Sequence, residues 1–178
     1  PLSDPSSSRR AVMVAAALIL IAGVLAYANS LRGPFVFDDP SSITTNPTIR
    51  QLWPLSAPLT PPNAAVTVQG RPILNFSLGL NYAIGGEAVP GYHALNLAIH
   101  LGAALTLFGL VRRTLQLPTV SSHCRAHAIG LALTIALLWV AHPLQTQAVT
   151  YVIQRAESLT GLFYLLTLYG FIRGATSP

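Results

Sequence analysis

Residues 11–28, AVMVAAALILIAGVLAYA, form one unbroken run of uncharged, predominantly apolar side chains. At about 1.5 Å of rise per residue a helix over them reaches roughly 27 Å, close to the thickness of a bilayer's hydrocarbon core. Arg9 and Arg10 precede the run and small residues close it, so a secretory signal peptide is the rival reading. Further runs of similar quality downstream favour a permanent span. Residues 93–111 predict a second span, 127–141 a third and 146–172 a fourth. The chain is 52% hydrophobic and only 8% charged, against about 25% charged in an ordinary soluble domain. The expected fold is therefore an all-α integral membrane protein of about four transmembrane helices.

The arginines set an orientation. Arg9 and Arg10 flank the first span, Arg112, Arg113 and Arg125 fill the loop over 112–126, and Arg173 follows the fourth span. By the positive-inside rule, residues 1–10, 112–126 and 173–178 are cytoplasmic. Residues 29–92 and the short turn at 142–145 then face outward, from a bacterial inner membrane or into an endoplasmic reticulum lumen. The net charge of +5 is spread in ones and twos beside apolar runs, not in the basic stripe that nucleic acid requires. The partners this implies are membrane lipids and no nucleic acid. The chain opens on Pro1 and its last apolar run stops close to its end, so it is expected to be a piece of a longer protein.

The outer loop carries pattern of its own. Pro54, Pro58, Pro61 and Pro62 make 53–65 irregular, whereas Ile73, Phe76, Leu80 and Ala83 or Ile84 recur at helical spacing. That spacing predicts a short helix over 71–84 lying in the membrane interface. Asn75 begins an N-F-S glycosylation pattern, a weak match inside a helix, and Asn46 is excluded as an acceptor by Pro47. Cys124 has only His123 and His127 beside it and reads as an inert loop cysteine.

Chemistry requires polar side chains, and this chain has few. Asp38 and Asp39 stand together in FVFDDPSSI although the chain owns five acids in all. Adjacent carboxylates can share a divalent metal, or one can act as a general base while the other accepts hydrogen bonds; a solvated turn at Asp39-Pro40 is the plain alternative. His93, Asn96 and His100 make one face of the second span polar, which helix-to-helix hydrogen bonding alone would explain. Gln147, Thr150, Gln154 and Glu157 form a second stripe at helical spacing, with Arg155 beside it. An arginine at that depth calls for a carboxylate, a phosphate gripped in bidentate fashion, or snorkelling to the interface. Glycine-rich phosphate loops, H-E-x-x-H, paired cysteines and G-x-S-x-G are all missing from the sequence.

Four ordered segments, FVFDDPSSITTNPTIR, GRPILNFSLGLNYAIGG, GYHALNLAIHL and AHPLQTQAVTYVIQRAESL, together resemble the transmembrane and tetratricopeptide-repeat family of O-mannosyltransferase-like proteins, in the GT-C glycosyltransferase superfamily. The resemblance covers about residues 29–172. It implies a multi-span enzyme moving a sugar, typically mannose, from a polyprenyl-phosphate carrier to a hydroxyl, with a protein as one candidate acceptor, on the outer side of the membrane. Carried over by position, Asp38 or Asp39 would be the general base, or the two would hold a divalent metal, the one cofactor this resemblance leaves open. Arg155 and Arg71 would hold the lipid phosphate and His142 would line the site, with His93, Asn96, Gln154 and Glu157 as supporting polar groups. Gln147 departs from the acid many relatives carry there, and the further spans and helical repeats of the family lie outside this chain. A catalytically silent membrane anchor or scaffold of the same fold is the competing expectation. A transporter reading is weaker, because the acids fall outside the spans.

Overall fold

The computed structural model describes residues 5–63 and 67–176. The ends of the expected cytoplasmic segments, at 1–4 and 177–178, and residues 64–66 of the outer loop lie outside the described residues. Every regular element among the described residues is helical. In chain order these are α1 (Pro5–Tyr27), α2 (Ser56–Leu59), α3 (Pro72–Gly85), α4 (Val89–Leu115), α5 (Ser122–Ala126), α6 (Ala128–Val140), α7 (Thr146–Thr150) and α8 (Arg155–Ala175), with short 3-10 and π turns between them. Two helical stretches, Ser8–Arg32 and Val89–Leu115, are long and apolar enough to cross a membrane. The count is three if Ala128–Val140 and Pro143–Thr150, bent by 51° at their junction, make one span. The sequence led to an expectation of about four.

The chain divides into two compact units. The first takes α1 up to Ala26, residues 99–145 and the chain from Thr160 onward. Its core is an apolar seam made by Ala15 and Ile19 of α1, Ala104 and Phe108 of α4, and Ala132, Ala136 and Val140 of α6. The three α6 residues are four apart, so they line one face, and two of them are alanines that let neighbouring backbones approach. Gly23 works the same way: a β-carbon there would collide with Leu101 Cδ2 and sit 3.0 Å from Val140 Cγ2. Outside the seam, Met13, Ile21, Leu25, Leu138, Phe163 and Phe171 are exposed, the distribution expected of helices solvated by lipid rather than water.

The second unit comprises residues 27–98 and 146–159. Ile43, Ile49, Val68, Leu74, Leu78, Tyr92, Val152 and Ile153 form its core. Pro72 occupies the first turn of α3, where a missing N–H costs nothing. The helix ends at Gly86, whose φ of +60° suits glycine, and Tyr92 Oη donates to the Gly86 carbonyl at 2.9 Å. Ahead of α3, Asn46 Nδ2 donates to Asn75 Oδ1 at 2.8 Å, while Asn75 Nδ2 donates to Thr48 Oγ1 and to the Pro58 carbonyl, both at 2.8 Å. Asn75 is fully buried; the N-F-S pattern marks a structural clamp, with its amide committed on every side. Arg50 lies over the Tyr82 ring, 4.3 Å from its centroid, pairs with Glu87 at 2.9 Å, and donates to the carbonyls of Ile43 and Thr44.

One expectation meets a different local structure. The sequence predicts a single helix over 146–172, whereas the chain forms α7, passes through extended Tyr151 (φ −95°, ψ 116°) and a 3-10 turn over Val152–Gln154, and only then begins α8 at Arg155. The cause is competition for the backbone groups that a helix would use. The Ile153 amide donates to Asp39 Oδ1 at 2.9 Å, and Asn96 Nδ2 reaches the carbonyls of Val149, Tyr151 and Val152 at 3.4, 3.3 and 3.1 Å. Two side chains distant in sequence thereby satisfy a helix break in a buried setting.

Candidate active site

The two adjacent carboxylates receive opposite environments. Asp39 is fully buried and each of its oxygens accepts a backbone N–H, Oδ2 from Val36 at 3.0 Å and Oδ1 from Ile153 at 2.9 Å. Burial pushes its pKa above the usual carboxylate value, against the opposing pull of those two amides. Asp38 is exposed. Its amide donates to Tyr151 Oη at 3.0 Å, its carbonyl accepts from the Ser42 amide and the Ser41 hydroxyl, and its Oδ2 accepts from Thr67 Oγ1 at 3.1 Å. The alternation follows from the turn. Asp39 N donates to the Val36 carbonyl at 2.9 Å, and Phe37 within that turn has a φ of +47°, a left-handed conformation rare for a bulky residue.

Arg71 is linked to Asp38 through Thr67. It is exposed, and its Nη1 donates to the carbonyl of Thr67 at 3.2 Å. Thr67 thus links an accessible carboxylate through its side chain to an accessible guanidinium through its main chain. Arg155 is placed otherwise. It is fully buried, with Nε donating to Asn96 Oδ1 at 2.6 Å, Nη1 to Ser77 Oγ at 3.2 Å and Nη2 to the Tyr92 carbonyl at 3.0 Å. Its guanidinium also lies 5.9 Å from the Tyr92 ring centroid. All three nitrogens are therefore engaged by α3 and α4 rather than turned to an entrance.

The remaining expected site residues separate in the same way. Asn96 is buried and joins Arg155 to the 149–152 carbonyls. His93 is buried, with Nε2 donating to the Gly33 carbonyl at 3.2 Å and Nδ1 meeting no hydrogen-bond partner among the described residues. Gln154 lies half-buried in the 3-10 turn, and Glu157 is exposed in the first turn of α8. His142 belongs to the other unit, where its Nδ1 accepts from the Leu144 amide at 3.2 Å. His100 belongs there too, donating from Nε2 to the Val140 carbonyl at 3.0 Å and stacked on Trp139 at 4.7 Å.

A metal bridging the acid pair does not fit this donor set. Asp39 is fully buried with each oxygen turned to a backbone amide, and among the described residues no three His, Cys, Asp or Glu side chains gather in a way that could hold an ion. Thr67 and Tyr151 were not singled out from the sequence, although both bond Asp38. Tyr151 stands off the polar stripe that helical spacing suggests, because the segment is not helical there.

The fold and its apolar helices define a membrane protein. The chain is 29% identical over 177 residues to the protein O-mannosyl-transferase F38B6.6 of Caenorhabditis elegans, 31% over 167 residues to the protein O-mannosyl-transferase TMTC1 of Mus musculus, and 32% over 165 residues to TMTC3 of Homo sapiens. These alignments cover 93%, 89% and 88% of the chain but only 24%, 17% and 17% of the relatives. The chain belongs to this family of transmembrane, O-mannosyl-transferase-like proteins. No family model and no solved structure matches it.

Proposed function

We propose that this chain is the catalytic membrane module of a multi-pass, GT-C-type glycosyltransferase. It transfers a sugar, mannose by the names its relatives carry, from a polyprenyl phosphate to a hydroxyl on a protein, on the outer side of the membrane, with the amino terminus cytoplasmic. One observation carries the assignment of roles: the acid pair is split into a fully buried carboxylate, each of whose oxygens accepts a backbone amide, and an exposed carboxylate open to solvent.

In this reading Asp38 is the general base. The acceptor hydroxyl oxygen forms the new bond to the anomeric carbon as the bond from that carbon to the phosphate oxygen breaks. The hydroxyl proton passes to the Asp38 carboxylate, and the electron pair of the broken bond leaves on the carrier phosphate. Arg71 is the cation placed to receive that charge, because its guanidinium is exposed and tied to the same Thr67 that bonds Asp38. Arg155 serves the fold instead, its burial leaving a lipid phosphate no approach. No step is assigned to a metal.

The test is transfer of labelled mannose from a polyprenyl phosphate mannose donor by the full-length protein in membranes. Asp38→Asn should abolish turnover. Arg71→Gln should raise the KM for the donor about tenfold or more, the loss of one charge-assisted contact. Full activity in Asp38→Asn would transfer support to a silent scaffold of the same fold.

A further inference from the structure

Asp38 needs more than exposure to act as a base; its carboxylate must be held where a hydroxyl can meet it. Two features of the turn bear on this. Phe37, immediately before Asp38, is 88% exposed and adopts a φ of +47°. A bulky side chain holds such a conformation only where its surroundings impose it. Besides the bonds between Val36 and Asp39 that close the turn, two contacts come from one side chain: the Tyr151 hydroxyl accepts from the Asp38 amide at 3.0 Å, and the Tyr151 ring meets Phe37 edge-on with centroids 5.8 Å apart. Tyr151 thus holds the main chain of Asp38 with its hydroxyl and the side chain of the preceding residue with its ring.

Tyr151 is itself fixed from behind. The carbonyl that follows its ring accepts from Asn96 Nδ2, the amide two residues on donates to Asp39, and Arg155 Nε holds the Asn96 amide oxygen. The break between α7 and α8 is what lets residue 151 leave the helical path.

We propose that Tyr151 is a positioning residue for Asp38, clamping the strained Phe37–Asp38 turn so that the carboxylate faces the reacting hydroxyl. The inference rests on Asp38 being the base. In the full-length protein in membranes, Tyr151→Phe keeps the ring against Phe37 and removes the hydroxyl. It should lower kcat per folded molecule about tenfold or more while leaving the KM for polyprenyl phosphate mannose within about twofold. In an Asp38→Asn background the same change should add nothing, since a residue acting through Asp38 has nothing left to position. Full turnover in Tyr151→Phe alongside an inactive Asp38→Asn overturns the positioning role and spares the base.

An activity-free readout separates the two claims. Asp38→Cys, labelled with a maleimide and quantified by peptide mass spectrometry, should react several-fold faster when Tyr151→Phe is added, because the amide of residue 38 loses its clamp. An unchanged labelling rate overturns the inference whatever transfer shows. An active Asp38→Asn overturns the base assignment, and with it the catalytic meaning of any clamp that labelling detects.

Discussion

The two units of this chain solve the problem of burial in opposite ways. In the first, the core is apolar, built from alanine, glycine and branched side chains in a seam between α1, α4 and α6, and His100 is its one buried polar residue among those described. The second unit buries Asp39, Ser42, Asn46, Asn75, Asn81, His93, Asn96 and Arg155. Polar groups out of water destabilise a fold unless they are bonded, so so many in one unit signal a shape that apolar packing alone would not specify. The result is a set of short 3-10 and π turns joined by irregular chain, at 28–49 and 151–154, braced by side chains rather than continued as long helices. The seam provides a frame, and the polar unit provides an irregular surface carrying an accessible acid and an accessible cation.

Substitutions can sharpen or break this contrast. Arg155→Ala should have the largest effect on folding, about 3–5 kcal/mol, because it leaves Asn96 Oδ1, the Ser77 hydroxyl and the Tyr92 carbonyl short of a donor in a buried site, each such loss costing about 1–3 kcal/mol. Arg155→Lys should recover only part of that, since an ammonium cannot reproduce the planar fork. Thermal unfolding followed by fluorescence-detected size exclusion in detergent would rank the three proteins. Next in size, Asp39→Asn should cost about 1–3 kcal/mol, as its amide nitrogen can no longer accept from one of the two backbone donors. The seam supplies the counter-case: Gly23→Val should destabilise by a similar 1–3 kcal/mol through overpacking against Leu101 and Val140, with transfer per folded molecule unchanged. Smallest of all, Glu87→Gln should shift stability by about 0–1 kcal/mol, because the pair with Arg50 is solvent-exposed and screened. An Arg155→Ala protein as stable as the parent would break the contrast at its strongest point.

Much of the frame was legible in the sequence. The run over 11–28 became part of the stretch Ser8–Arg32, and 93–111 lies inside α4, because continuous apolarity leaves a chain in lipid little choice but a helix. The helix expected over 71–84 is Pro72–Gly85. What spacing could not disclose was the break at Tyr151. Gln147, Thr150, Gln154 and Glu157 satisfy a helical period on paper, yet Asp39 and Asn96, more than fifty residues earlier, divert the backbone groups a helix would have used. Local pattern lost to tertiary hydrogen bonding. The acid pair was legible as a pair, but its division was not: which carboxylate turns inward depends on the Phe37 turn and on Ile153, and neither is visible from two adjacent letters. The same blindness covers Arg155, which reads as a ligand-seeking cation in the sequence and lies fully enclosed by protein acceptors in the fold.

The separation of the two acids invites one paired experiment. Asp38→Asn and Asp39→Asn would be made in the full-length protein, brought to equal folded amounts, and assayed side by side for mannose transfer from the polyprenyl phosphate donor and for thermal stability. Asp38→Asn should keep the parent's stability to within about 0.5 kcal/mol and lose transfer, whereas Asp39→Asn should lose stability and retain transfer in whatever fraction folds. The reverse pattern, with an active Asp38→Asn and a stable, inactive Asp39→Asn, would contradict the division of labour that the structure draws between the exposed carboxylate and the buried one.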